Sequence, residues 1–192
     1  MNLVNVGYRS TNYYVLANHR PRLLLDAGWP GSLGKMRESC RRMGIRLEDI
    51  PYQLVTHYHI DHAGLVEELK QLGVKLLVLD IQVAAIPLMR QHIKPQDNYT
   101  DISTNGNIIL TEASSRAFLK GIGIDGEIIA TPGHSDDSVT LILDEGTAFT
   151  GDLTNPILLP DDATNPTWQS WQKIRDRGVT TIYPAHGPVW KM

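Results

Sequence analysis

The chain has 192 residues, 42% hydrophobic and 20% charged, with a net charge of −3 when its seven histidines are counted neutral. This composition fits one globular domain over residues 1–192 and excludes a disordered or fibrous chain. Its single cysteine, Cys40, excludes a disulfide framework and a multi-cysteine zinc site, and the charge gives no drive toward nucleic acid or an anionic membrane.

In chain order, residues 13–17 and 22–26 read as short strands, with 18–21 turning between them. Gly28-Trp29-Pro30-Gly31 breaks the chain. Ser32 is placed to cap a helix over 33–43, and Gly44 stops it. Its charges (Lys35, Arg37, Glu38, Arg41, Arg42) suit a solvated face. A strand over 52–56 leads through a polar loop to a helix over 63–72, with Leu65, Val66, Leu69 and Leu72 at helical spacing. A strand over 75–79 follows. Asp80 is placed to cap a helix from Ile81, which Pro87 must kink or end. Residues 98–107 have loop character, 108–110 a strand pattern and 112–120 a helical one. The last third predicts strands over 127–131, 138–143 and 147–150. A helix capped by Asn165 or Thr167 then runs to Arg175, and a strand over 180–183 closes the pattern. Two sheets with helices outside fit this order, and so does one mixed sheet covered on both faces; periodicity does not choose between them.

No run reaches the roughly 18 apolar residues that cross a bilayer, and residues 1–12 lack a basic stretch followed by an apolar one. The expected location is the cytoplasm, with no membrane partner.

Residues His57-Tyr58-His59-Ile60-Asp61-His62 put three histidines and an aspartate into one short span between a strand and a helix. In extended chain, residues two apart share a face, so His57 and His59 can grip one ion. Asp61 and His62 lie where the chain turns and can point to a neighbouring position, so that two metals about 3.5–4 Å apart share the loop. His134, Asp152 and His186 each follow a predicted strand. Loops held by a rigid sheet are where sites are built.

Asp26, the 57–62 cluster, His134, Asp152 and His186 stand in the order seen in the metallo-β-lactamase-fold hydrolases. The chain resembles that superfamily over nearly all its length, and is most similar to its dinuclear glyoxalase II-like and lactonase-like branch. The resemblance implies an α/β fold, a four-layer αββα sandwich with metals at one edge of the sheets. It implies that His57, His59 and His134 hold a first metal, that Asp61, His62 and His186 hold a second, and that Asp152 bridges them. Asp26 is implied as a buried structural group. The implied cofactors are two zinc ions, with iron or manganese as alternatives, and Asp61 is the implied catalytic residue, orienting a bridging hydroxide. The implied reaction is hydrolysis of a small-molecule thioester, ester or lactone. Alternatives are a mononuclear iron oxidoreductase, a β-lactam or phosphodiester hydrolase on the same fold, and a non-catalytic binding protein.

Departures narrow the choice. Antibiotic-hydrolysing members carry Cys or Ser where this chain has Asp152. Flavin-linked di-iron members replace the second histidine of the cluster by Glu, whereas His59 is retained. Persulfide dioxygenases carry an Arg-Thr-Asp stretch after the Gly-Asp, absent from 153–160. The glutathione-contacting pattern of the hydroxyacylglutathione hydrolases is also missing, and their longer members carry a C-terminal helical domain that is not expected here. Homoserine-lactone hydrolases place Tyr where this chain has Asn155.

Around the cluster, Trp29, Asn155, Ile157 and Leu158 are candidate substrate contacts. Trp29 is expected to lean over the cleft, and the 153–166 stretch to cover it or to pack. Alternation turns Tyr58 away from the ligands and outward. Trp168 and Trp171, three apart, read as core, Cys40 as a bystander, and His19 and His92 as surface residues. The stretch from Ile81 to Met89 suits a dimer contact or burial within one subunit.

Overall fold

The computed structural model describes residues 1–160, 162 and 164–192. In chain order the first part contains β1 (Asn2–Asn5), β2 (Tyr14–Asn18), β3 (Arg20–Leu25), α1 (Leu33–Arg42), β4 (Tyr52–Leu54), α2 (Ile60–Ala63) and α3 (Val66–Gln71). There follow β5 (Lys75–Leu79), α4 (Ala85–Leu88), β6 (Ile108–Leu110), α5 (Glu112–Gly121), β7 (Gly126–Ala130), β8 (Val139–Leu143), β9 (Thr147–Gly151), α6 (Pro166–Arg175), β10 (Thr181–Pro184) and β11 (Trp190–Lys191).

These strands form two sheets, one in the order β1-β2-β3-β4-β5-β6 and one in the order β11-β10-β9-β8-β7. Strands β3 to β6 run parallel, as do β9 and β10. The remaining neighbours are antiparallel. The apolar runs explain the layering. In β3, Leu23 and Leu25 face the second sheet while Leu24 packs on the other side with Met36 and Cys40 of α1. In β5, Leu77 and Leu79 join the inter-sheet core, and Leu76 and Val78 lie with Val66 and Leu69 of α3. Strands buried on both faces read as continuous apolar runs, so their period carries no sign of which face meets what. The second sheet places Val139, Leu141, Leu143 and Phe149 inward and Ile129, Ile142 and Ala148 outward, under Trp171 and Ile174 of α6. The result is an αββα sandwich.

Several elements depart from expectation. The helix expected over 63–72 is two helices, and the first starts earlier, at Ile60. Gly64 lies against the Gly28–Pro30 turn, where a Cβ would come within 2.3 Å of Pro30 and 2.5 Å of the Gly28 carbonyl. Pro87 sits inside α4, and the expected helix from Ile81 is broken into 3-10 turns on either side of that short helix. Among the described residues the Asp80 carboxylate accepts only the neighbouring Ile81 N–H. Ser32 occupies the N-cap position of α1 without capping it, because its hydroxyl is engaged by Tyr8 and the Trp29 carbonyl. Asn165, rather than Thr167, caps α6. Strands β1 and β11 are additions: one is half-exposed and Asn-flanked, the other two residues long.

Tyr58 is buried in the helix-side core, not turned outward. Trp171 is fully buried, with Trp168 packed partly against its cluster. Cys40 lies on the buried face of α1, and burial pushes its thiol up to about 11. In the 81–89 stretch Ile86 and Met89 are buried, whereas Ile81, Val83 and Leu88 are exposed. The expectation for the His92 side chain, and the part of the 153–166 stretch at Asp161 and Ala163, lie outside the described residues. Among the described residues, no helix is long and apolar enough to cross a membrane.

Candidate metal centre

The carboxyl ends of β3, β4, β7, β9 and β10 supply the residues that carry the site. The two sheets are stitched together there by backbone. Val139 N–H donates to the Thr56 carbonyl at 2.8 Å and Asn12 N–H to the Ala185 carbonyl at 2.7 Å, while within the second sheet Ala185 N–H donates to the Gly151 carbonyl at 3.0 Å. Gly151 (φ +56°) makes the closest approach, since a Cβ on it would lie 2.6 Å from Thr56 Oγ1. Glycine at this place lets β9 close on the end of β4 and sets the next residue, Asp152, over the histidines.

Seven donors meet at that edge. His57, His59 and His134 form one group whose ligand atoms lie within 4.8 Å of one another; Asp61, His62 and His186 form a second, and His57, His62 and Asp152 a third. Asp152 stands between the first two. Its Oδ2 lies 3.9 Å from His57 Nε2, 3.6 Å from His134 Nε2 and 3.4 Å from His62 Nε2. Its Oδ1 is 3.4 Å from His186 Nε2. Asp61 Oδ2 is 3.4 Å from His62 Nε2 and 3.2 Å from His186 Nε2. His59 presents Nδ1, 3.1 Å from His134 Nε2.

The outer hydrogen bonds determine which ring nitrogens point inward as lone pairs. Asp26 is buried in a left-handed backbone conformation after β3. Its carboxylate accepts the Thr56 N–H at 2.7 Å and the Thr56 hydroxyl at 3.0 Å. With its proton spent on Asp26, Thr56 Oγ1 accepts from His57 Nδ1 at 3.2 Å. Asp26 Oδ2 also accepts from His62 Nδ1 at 3.0 Å, and the Ser10 carbonyl accepts from His186 Nδ1 at 2.7 Å. These bonds leave Nε2 of each ring as the atom aimed inward, a lone pair whenever the ring is neutral, which is the arrangement that metal-ligating imidazoles use. Thr11 donates its hydroxyl to Asp61 Oδ2 at 3.0 Å, and Tyr13 its phenol to the Asp61 carbonyl at 3.1 Å.

A cation fits the cluster on two counts. His57 Nε2, His62 Nε2 and Asp152 Oδ1 are buried and have no hydrogen-bond partner among the described residues. Buried polar atoms aimed at one place, lone pairs when the rings are neutral, are costly unless something joins them. Donors roughly 2.0–2.2 Å from a tetrahedral zinc stand roughly 3.3–3.6 Å apart, close to the spacings around Asp152 and Asp61. The charge distribution agrees. Burial, with His62, His59, His134 and His186 nearby, pushes the His57 ring well below its usual pKa, so it is neutral. Burial disfavours a charged His62 too, but Asp26, Asp152 and Asp61 outweigh it and hold this ring well above its usual value. Burial likewise opposes ionisation of Asp61, yet His62 and the Thr11 hydroxyl leave its pKa far below the usual carboxylate range. Three carboxylates in a buried pocket thus demand positive charge.

The sequence profile described as the metallo-beta-lactamase superfamily matches residues 6–186. The chain belongs to the metallo-β-lactamase superfamily. Relatives within reach of sequence comparison include a probable metallo-hydrolase of Methanocaldococcus jannaschii, 28% identical, the match covering 98% of this chain and 93% of the relative. A beta-lactamase-like protein 2 homolog of Caenorhabditis elegans is 27% identical over 94% of this chain and 57% of its own length. An atrochrysone carboxyl ACP thioesterase of Aspergillus fumigatus is 29% identical over 94% and 52%. The chain thus spans little more than half the length of several relatives. Among solved structures, a metallo-beta-lactamase family protein from Thermus thermophilus superposes with a TM-score of 0.73 at 19% identity, covering 98% of this chain and 73% of that one. A metallo-beta-lactamase from Legionella gormanii gives 0.70 at 20%, covering 96% and 76%. These likenesses establish the fold, and the profile match establishes the superfamily.

The remaining candidates of this metallo-β-lactamase-fold chain separate. Asn155 and Leu158 line a cavity shared with His134, Asp152 and His186. Asn155 Oδ1 accepts the Ile157 N–H at 3.0 Å. Ile157 is exposed and is not part of the cavity wall. Trp29 does not line it either; the Arg9 guanidinium lies 5.2 Å from its ring centroid. Sequence reasoning missed Thr11, Ser10 and Tyr13, whose contacts with Asp61 and His186 span 48 to 176 residues. It also missed the cavity walls Pro188 and Trp190, although both stand close to His186 in the chain; Leu153 belongs to the 153–166 stretch expected to cover the cleft or to pack.

Proposed function

We propose that this chain is a dinuclear metal-dependent hydrolase of a small thioester, ester or lactone. The observation that carries the reading is the position of Asp152, within 3.4–3.9 Å of ring nitrogens from both histidine groups. His57, His59 and His134 would hold one cation, Asp61, His62 and His186 the other, and Asp152 would touch both. Imidazole and carboxylate donors suit zinc, and also admit iron or manganese. When bound, such cations supply Lewis acidity and a water acidic enough to ionise near neutral pH.

The chain's own residues do the rest. Asp61, ionised and fixed by Thr11, accepts a hydrogen bond from the attacking water and aims it at the acyl carbon. Asp26 and Ser10 hold the rings in their ligating tautomers. With Oδ1 occupied by the Ile157 N–H, Asn155 keeps its amide Nδ2 as a donor for a developing oxyanion. Addition of water across the acyl bond yields a carboxylic acid and a thiol or alcohol. The thioesterase name of one relative favours the thioester. Asp152 in place of Cys or Ser argues against a β-lactam.

Metal analysis combined with a panel of thioester, lactone, β-lactam and phosphodiester substrates, with and without chelator, tests this reading. Chelator-sensitive cleavage of a thioester or lactone is expected. One iron per chain with oxygen consumption, or inertness of the fully metallated protein, would overturn it.

A further inference from the structure

The cavity beside the donor cluster has a volume of about 490 Å³, within the range that holds a small ligand. It shares His134, Asp152 and His186 with the cluster, while Leu153, Leu158 and Trp190 supply much of its apolar wall. Among its described lining residues there is no Lys or Arg, and Asp152 is the single carboxylate. Away from the donor cluster and Asn155, a charged tail would lose water and meet no Lys or Arg. Trp190 is held as a fixed wall by its neighbour Trp171, the ring centroids 5.6 Å apart. The indole of Trp171 in turn donates to the Thr154 carbonyl at 2.8 Å, tying the segment after Asp152 to α6. Across the cavity Leu158 is 75% exposed, an apolar side chain left in water at the edge of an apolar hollow. A second hollow, about 360 Å³, meets the cluster at His59 but carries Asp136 and Asp137 on its wall beside Ile81 and Leu88.

We propose that the larger cavity takes the uncharged, apolar acyl chain of the substrate, and that Trp190 and Leu158 set the chain length preferred. The proposal rests on the reading of the site as an acyl hydrolase. It places the acyl carbon at the donor cluster and the chain between Leu158 and Trp190. Each methylene buried there raises affinity roughly fourfold.

The test uses the full chain and two thioethers that cannot be hydrolysed, S-octyl- and S-ethyl-N-acetylcysteamine. Their binding is measured by calorimetry on chelator-treated protein. Hydrolysis of octanoyl- and acetyl-N-acetylcysteamine is measured on zinc-loaded protein. The octyl compound is expected to bind at least about tenfold more tightly than the ethyl one. Leu158→Ala and Trp190→Ala should each cut that ratio severalfold, and Leu88→Ala in the other hollow should leave it intact. Leu158 is exposed, so its variant folds even if Trp190→Ala does not. Equal binding of the two thioethers to the unaltered chain, a ratio that survives both cavity changes, or one that falls only with Leu88→Ala would overturn the proposal. Length-selective binding without hydrolysis of either thioester would instead contradict the hydrolase reading alone.

Discussion

Asp26 faces none of the reacting groups, yet it orients two rings: His62 directly and His57 through Thr56. Its role follows from chemistry at one residue, a buried carboxylate accepting three donors, and its place before Gly28 in the sequence marks only a turn. Asp61 differs in kind. With cations retained, Asp61→Asn should lower kcat by about 10²-fold or more, since it removes the group that aims the water; near-normal turnover would sink that role. His62 sets a pH dependence in the metal-free protein. Its folded pKa is raised above the unfolded value of about 6.5. The stabilisation it gives is therefore full at lower pH and is lost as pH rises through the raised value. Asp61 and Asp152 are shifted down, so theirs is present above the usual carboxylate range and is lost as pH falls through the lowered values. Thermal unfolding of chelator-treated protein should show a melting temperature that declines on the alkaline side. His62→Gln should remove that decline, and an unchanged slope would contradict the assignment.

Elements explain why these residues meet. The ends of β4 and β9 belong to different sheets, and Gly151 is the point at which they touch. Gly151→Ala would force a Cβ against Thr56 at a positive φ, so it should destabilise the chain by about 1–3 kcal/mol. It should also weaken cation retention, because Asp152 and Thr56 move together. A melting temperature and metal content like those of the unaltered chain would refute the close-approach argument. Strands β5 and β6 were legible to the residue, their apolar runs being bounded by turn-forming neighbours. The helix over 63–72 was not, because its break depends on the Gly28–Pro30 turn lying against Gly64, a contact between distant segments. Strands β1 and β11 were illegible for a simpler reason: four half-exposed residues and two residues carry no period. The wall residue Trp190 was lost with β11.

At the scale of the molecule, two sheets close against each other and leave their carboxyl-end loops on one edge. That architecture was not decidable from periodicity, because strands such as β3 and β5 are apolar on both faces. The seven candidate donors were legible, because imidazoles and carboxylates crowded around a strand end have few other uses. Their partition into two groups joined by Asp152 emerged as geometry only when both sheets were in place. The central claim is that this edge holds two cations through seven side chains. Native mass spectrometry of the chain after zinc reconstitution measures it directly, in parallel with Asp152→Ala. The account predicts a mass increment of two zinc ions in the unaltered chain and loss of at least one in the variant. A single ion, or an increment of two that Asp152→Ala leaves unchanged, would contradict it.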